Sequence, residues 1–403
     1  MSDTSQRVLG RLRRRSTLAL RQRLIFILDR ARRPWQRSEV LLVTGGASPN
    51  KIEEIEKRLH FLFDHMGAVL TVKQSRSFPL ADFLRYRGVV AADDGAIPVF
   101  IMRRLRLNWI VSLDYEKNPF DAWHLVDLGV AMADGLDPET IASSYRTFNK
   151  RVEKVKSLGS RPVYLFGTGP SLGRAITRSF VDGTTVVCNT IVRDRELWAH
   201  LKPDFFAASD AIYHFGHTEH ARQFRADALQ RLRESNGRTL FVYPAQFDII
   251  VRREFREVSE VLIPIPWVDH NDSTVDLTNK FALPPSGANV LNMALLPIGC
   301  TLSKDVRLWG FDGRSPTDSG FWSNSPTQSY QELMPELRKA HPAFFESIIP
   351  AGREDQYVKR AHGQSLDDCL SAAEARGFRF WMLHPSWTPT FQNRFHEHLP
   401  ALD

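Results

Sequence analysis

The sequence predicts an α/β protein, with a doubly wound parallel sheet in its C-terminal part and a smaller α/β domain before it. Two observations carry this. Short runs of Val, Ile, Leu and aromatics recur along the chain, and stretches of helical apolar period stand between most of them. The glycine-rich and polar positions gather where those runs end, as they do at the carboxyl ends of parallel strands. The length of 403 residues suits two or three domains at about 100–200 residues each.

The first block starts with EVLLVTGGASPN (39–50), read as a strand and a tight turn. KIEEIEKRLHFLFDHMG follows, with Ile52, Ile55, Leu59, Leu62 and Phe63 on one helical face. AVLTVK (68–73), RGVVAAD (87–93) and NWIVSLDY (108–115) are further strands. The stretch 136–162 reads as a helix ended by glycine and then a linker, which sets a domain boundary near 155. The expected organisation is a basic arm over 1–37, an accessory α/β domain over 38–155 and a Rossmann-like domain over 156–403.

In the second block the strands are VYLFG (163–167), TVVCN (185–189), DFFAAS (204–209), TLFVYP (239–244), VLIPIP (261–266), VRLWGFD (306–312) and FRFWMLHP (378–385). ELWAHL, HARQFRADALQRLRES and SLDDCLSAAEARG are the clearest helices between them. Ligands of such a fold bind beyond the carboxyl ends of the strands, at the topological switch point. The candidates there are Gly167 to Ser171, Asn189, Ser209, Asp210, Gly310 and Asp312.

Composition excludes several classes. With 43% hydrophobic and 25% charged residues, the chain is ordinary for a globular protein. No apolar run reaches the ~18 residues of a spanning helix, and no signal peptide is expected. Cys188, Cys300 and Cys369 are widely spaced and read as buried thiols of a reducing compartment. The net charge of +7 is uneven: residues 7–37 hold eleven arginines, with Asp29 as the lone acid. That segment reads either as a solvated basic helix or as an arm on an anionic membrane surface. No nucleic-acid motif accompanies it, so nucleic acid is not an expected partner.

The loop GTGPSL, residues 167–172, lacks the third glycine of a dinucleotide fingerprint and the GK[ST] of a Walker loop. Gly167 and Gly169 are expected to let backbone N–H groups approach an anion, helped by the helix that follows. Asn189 offers an amide for a base or sugar edge. Each position also has a plain reading as a turn. HFGHTEH (214–220) reads as the entry to a surface helix rather than as a metal site, since no second ligand cluster supports it.

The ordered set GTGPSL, a strand ending in CN, PPSGANVLNMALLPIGC and VRLWGFD resembles the bacterial lipooligosaccharide sialyltransferases. Those enzymes carry GxGPSL, a strand ending in CN, an SG followed by a helix, and a strand ending in SGID. Flagellin glycosyltransferases of the motility-accessory-factor type and the 6-hydroxymethylpterin diphosphokinase-like group share this core. The resemblance covers roughly residues 161 to 385 and implies a CMP-sugar site.

On that resemblance Gly167, Thr168, Gly169, Pro170, Ser171 and Asn189 hold the nucleotide, with Ser209 or Asp210 in place of a further asparagine. Ser286 and Gly287 match the SG, and Gly310 and Asp312 the end of the GID strand. Thr168 stands where the family has asparagine. Arg314 stands where its first phosphate-contacting tyrosine is expected, and Tyr330 is the candidate for the second. The base corresponds to His362, in a lid segment near 313–364, with His384 as runner-up and His341 also in the segment.

The implied activity is metal-independent transfer from a CMP-activated, sialic acid-like or Kdo-like sugar to a surface glycan or glycolipid. The donor is a substrate, and no separate cofactor is expected. The implied location is cytoplasmic, with residues 7–37 on the inner face of the membrane. Two alternatives stand beside it. One is an Mg²⁺-dependent diphosphokinase using Asp210 and Asp312. The other is a non-catalytic nucleotide-binding protein of polysaccharide assembly.

Overall fold

The computed structural model describes residues 38–98, 101–102, 107–133, 135–267, 274–284, 289–315, 325–348 and 363–396. The chain forms two compact units, residues 1–135 and 136–403. Both are α/β with all-parallel sheets, as the alternation of strand and helix patterns requires.

The first unit holds β1 (Glu39–Val43), β2 (Thr71–Ser75), β3 (Gly88–Ala91) and β4 (Ile110–Ser112), in the order β2-β1-β3-β4. Val40 and Leu42 face one side of the sheet and Leu41 and Val43 the other, and each side has its own apolar core. Helix Pro49–Met66 covers the first side with Ile55, Leu59, Leu62 and Phe63. Its ends are set locally: Ser48 accepts the Lys51 N–H, proline opens the first turn, and Gly67 closes it at φ 63°. β2 lies at a sheet edge and is largely exposed, which suits its Lys73 and Gln74.

The second unit holds β5 (Val163–Phe166), β6 (Thr184–Cys188), β7 (Phe205–Ala207), β8 (Leu240–Pro244), β9 (Leu262–Ile265), β10 (Asp305–Trp309) and β11 (Arg379–Met382). Their order is β11-β10-β5-β6-β7-β8-β9. All seven sequence-predicted strands are present, within a few residues at their ends. Apart from β11, every residue of these strands is buried. Such strands read as continuous apolar runs because helices cover both faces of a parallel sheet. The chain walks outward from β5 to β9, then returns to lay β10 on the other side of β5. The switch point is therefore the cleft between the carboxyl ends of β5 and β10.

The domain boundary falls at 135/136, ahead of the expected 155. Helix Pro138–Lys156 belongs to the second unit. Its Ser144 hydroxyl donates to the Pro264 carbonyl of β9 at 3.0 Å, and Phe148 lies 5.8 Å, ring to ring, from Phe205 of β7. The glycine that ends this helix resembles a linker in sequence, but the helix face decides which core it joins. Cys188 and Cys300 are buried as expected, while Cys369 is only partly so. Among the described residues, no helix is long and apolar enough to cross a membrane. The arm at 1–37 lies outside the described residues.

Candidate functional site

The loops after β5 and β10 meet through glycines. An added Cβ on Gly167 would lie 2.6 Å from the Gly310 carbonyl oxygen. Gly310 itself adopts φ 80°, and its own added Cβ would collide with the Gly167 carbonyl. Only glycine permits so close a backbone approach.

This corrects the expected role of the loop. Its N–H groups are not turned to an outside anion. Gly167 N–H donates to the Trp309 carbonyl and Gly169 N–H to the Gly310 carbonyl, both at 2.8 Å. The Ser171 N–H donates to Asp312 Oδ1 at 3.1 Å, and its hydroxyl lies 2.9 Å from Asp312 Oδ2. The N–H groups of Gly167, Gly169 and Ser171 are thus all taken up within the protein, the last by a carboxylate. The element after the loop is also not an α-helix but a 3₁₀ helix, Pro170–Thr177, with Pro170 exposed and Ser171 buried.

His384, just beyond β11, completes the clasp. Its Nδ1 donates to the Pro385 carbonyl at 2.7 Å, which leaves Nε2 as an acceptor. Nε2 takes the Gly310 N–H at 2.9 Å and lies 2.7 Å from the Ser171 hydroxyl. Burial pushes the imidazole pKa down, and Arg174 and Arg178 add to this against the pull of Asp312. The ring is therefore held neutral at neutral pH. The Trp309 indole N–H donates to the Ser171 carbonyl at 2.9 Å. Thr168 is half-buried, and its carbonyl accepts the Ser325 N–H at 2.9 Å, so the chain at Ser325 lies against the loop.

Beside the clasp, Asn189 follows β6 in the left-handed conformation, φ 50°. That conformation is uncommon for a residue with a side chain, and asparagine tolerates it best. Its Oδ1 is buried without a hydrogen-bond partner. Among the described residues the amide oxygens of Asn149, Gln246, Asn292 and Gln328 are likewise buried without a partner. Asn292 sits in the π-helical turn Leu291–Leu295, which packs against β6. Single π-turns recur at functional sites. Sequence reading passed over Asn292, although an asparagine inside the apolar run VLNMALL is a visible signal.

Other expected residues are drawn elsewhere. Ser209 is buried at the end of β7. Asp210 closes a turn, its Oδ1 accepting the Ile212 and Tyr213 N–H groups at 2.7 and 2.8 Å. Burial raises its pKa to about 6. Tyr330 is not offered to a phosphate: it is buried, its hydroxyl donates to Asp227 Oδ2 at 2.6 Å, and the Arg193 guanidinium lies 4.7 Å from its ring centroid. Arg314 is half-buried beyond Asp312.

His214 and His220 do precede or enter a helix, Glu219–Ser235, yet both are buried, and His214 Nδ1 accepts the Asp210 N–H. His341 is likewise buried. Ser286, Gly287 and His362 lie outside the described residues.

The clasp closes the β5/β10 switch point, and Asn189 stands at the end of the neighbouring strand β6. No protein-family model matches the chain, and neither a curated protein nor a solved structure matches it.

Proposed function

We propose that the C-terminal unit binds a CMP-activated sugar at the β5/β10 switch point and transfers it to a glycan or glycolipid hydroxyl. The observation that carries the reading is the buried, partnerless Oδ1 of Asn189, held in left-handed backbone beside the switch point. An unsatisfied buried acceptor costs about 1–3 kcal/mol. A ligand N–H or O–H, such as the exocyclic amine of a cytosine or a ribose hydroxyl, recovers it. Asn292 supplies a second such oxygen.

The clasp of Ser171, Asp312 and His384 fixes the floor of the site and takes no part in the displacement. His362, assigned by resemblance, removes the acceptor proton. The hydroxyl oxygen then attacks the anomeric carbon, and CMP leaves with the bonding pair. The basic segment 7–37 brings the enzyme to an anionic membrane where lipid-linked acceptors lie.

The test is release of CMP from CMP-sialic acid or CMP-Kdo by the full chain, with and without a lipooligosaccharide acceptor and in the presence of a chelator. Acceptor-stimulated release supports the reading. Phosphoryl transfer from ATP with Mg²⁺, in place of CMP release, overturns it.

A further inference from the structure

A groove of about 300 Å³ beside His384 is lined by Arg174, Thr177, Arg178, Trp309, His384 and Phe395, among others. Arg174 lies in the 3₁₀ helix Pro170–Thr177 that leaves the glycine loop, Arg178 follows its last residue in extended backbone, and both are exposed. Among the described residues no carboxylate pairs with either. The Arg178 guanidinium is braced over the Trp309 ring, 4.9 Å from its centroid, so its planar fork is oriented without being neutralised.

The other polar groups on the wall are already engaged. The Thr177 hydroxyl donates to the Arg174 carbonyl at 2.8 Å, and the Trp309 indole N–H to the Ser171 carbonyl. Recognition of a polar ligand therefore falls to two guanidiniums, and the remaining wall, with Trp309, Leu383, Pro385 and Phe395, is apolar.

One guanidinium braced over Trp309, a second lining the same groove and an apolar wall match a tetrahedral oxyanion carried on a ring. Guanidiniums bind phosphate oxygens in pairs with defined geometry. We infer that this groove is an acceptor subsite for a sugar bearing a phosphoryl group, which Arg174 and Arg178 hold while the ring rests against the half-buried Phe395. The inference rests on the transferase reading for the word acceptor, and on the groove alone for the phosphorylated ligand.

The groove is also joined to the switch point. His384 lines it and accepts the Gly310 N–H with Nε2. The groups that set the charge state of His384 are Asp312, the Pro385 carbonyl, Arg174 and Arg178. A bound phosphoryl dianion cancels the field of the two arginines. Occupancy of the groove is therefore felt at the clasp as a rise in the His384 pKa.

Binding of glucose 1-phosphate, unphosphorylated glucose and CMP to the full chain by calorimetry tests this, beside an Arg174→Gln/Arg178→Gln variant. Both arginines are on the surface, and an unchanged melting temperature shows that the variant is folded. Glucose 1-phosphate is expected to bind the wild type and to lose about tenfold or more in the variant, while CMP binds both equally. The His384 imidazole signals are expected to titrate at higher pH with the sugar phosphate bound.

Equal affinity of wild type and variant for glucose 1-phosphate, or no binding to either, overturns the subsite. Failure of CMP alone, with glucose 1-phosphate still dependent on the arginines, overturns the transferase reading and leaves the groove standing. Phosphatidylglycerol vesicles separate the two sources of a phosphoryl group. Arginine-dependent binding to vesicles, without binding to the sugar phosphate, overturns the sugar assignment.

Discussion

Replacing Gly169 by alanine tests the clasp. The backbone at Gly169 has φ −66°, so alanine adds no conformational strain. The cost arises from what the new Cβ meets: the Gly310 carbonyl oxygen at 2.8 Å and the Asp312 carboxylate in direct collision. The carboxylate must swing away and lose the Ser171 N–H and hydroxyl. Hydrogen bonds to a charged group contribute about 1.5 kcal/mol each at the low end. Asp312 is 17% exposed and regains some water, which leaves a net loss of about 2 kcal/mol. For a unit of this size that lowers the melting temperature by about 4–8 °C. Differential scanning calorimetry of the C-terminal transition reads it directly. Ser171→Ala, which removes the hydroxyl without a clash, should give a smaller loss in the same direction. Unchanged melting in both variants would show that Asp312 does not fasten the loop, and the glycines would return to the phosphate-cradle reading.

Three other predictions follow from separate features. Asp210 has a folded pKa of about 6 against an ordinary value near 4, so the native state binds the proton more tightly than the unfolded chain. Its contribution to stability therefore falls as pH rises from about 4 to about 6, and Asp210→Asn, which keeps an acceptor for the two N–H groups, should flatten that part of the stability curve; an unaltered pH profile contradicts it. His362→Ala should cut transfer by about 10²–10⁴-fold with CMP affinity unchanged, and wild-type turnover would remove His362 as the base. Deleting residues 1–37 should weaken binding to anionic vesicles at low salt, since each arginine near such a surface contributes about 1 kcal/mol, with nucleotide affinity intact; indifference of the full chain to vesicles would make the arm structural.

Much of the fold was legible because its signals are local. VYLF, LFVYP and DVRLW are buried on both faces and announce themselves as apolar runs. Asn189, Gly310 and Asp312 could be placed at strand ends for the same reason. What sequence could not supply were long-range pairings. Asp312 lies 141 positions from Ser171, and nothing near either residue reveals that one fastens the other. Tyr330 was assigned to a phosphate from its position after β10, yet its hydroxyl reaches Asp227 across 103 positions. Helix Pro138–Lys156 carries a clear amphipathic pattern, but the pattern does not say which core receives Phe148 and Val152. Arg174 and Arg178 carry no local signal in GRAITR, and only the fold sets them beside Trp309 and His384.

The central claim is that a cytidine nucleotide satisfies the buried amide at the end of β6. Asn189→Gly isolates it, because glycine accepts the φ of 50° without strain and removes only the side chain. Calorimetric titration of CMP, without divalent metal, into the wild type and this variant is the direct measurement. CMP should bind the wild type and bind the variant about tenfold or more weakly, the cost of one buried hydrogen bond left unmade. Equal CMP affinity in the two proteins, or binding of ATP with Mg²⁺ in place of CMP, would contradict it.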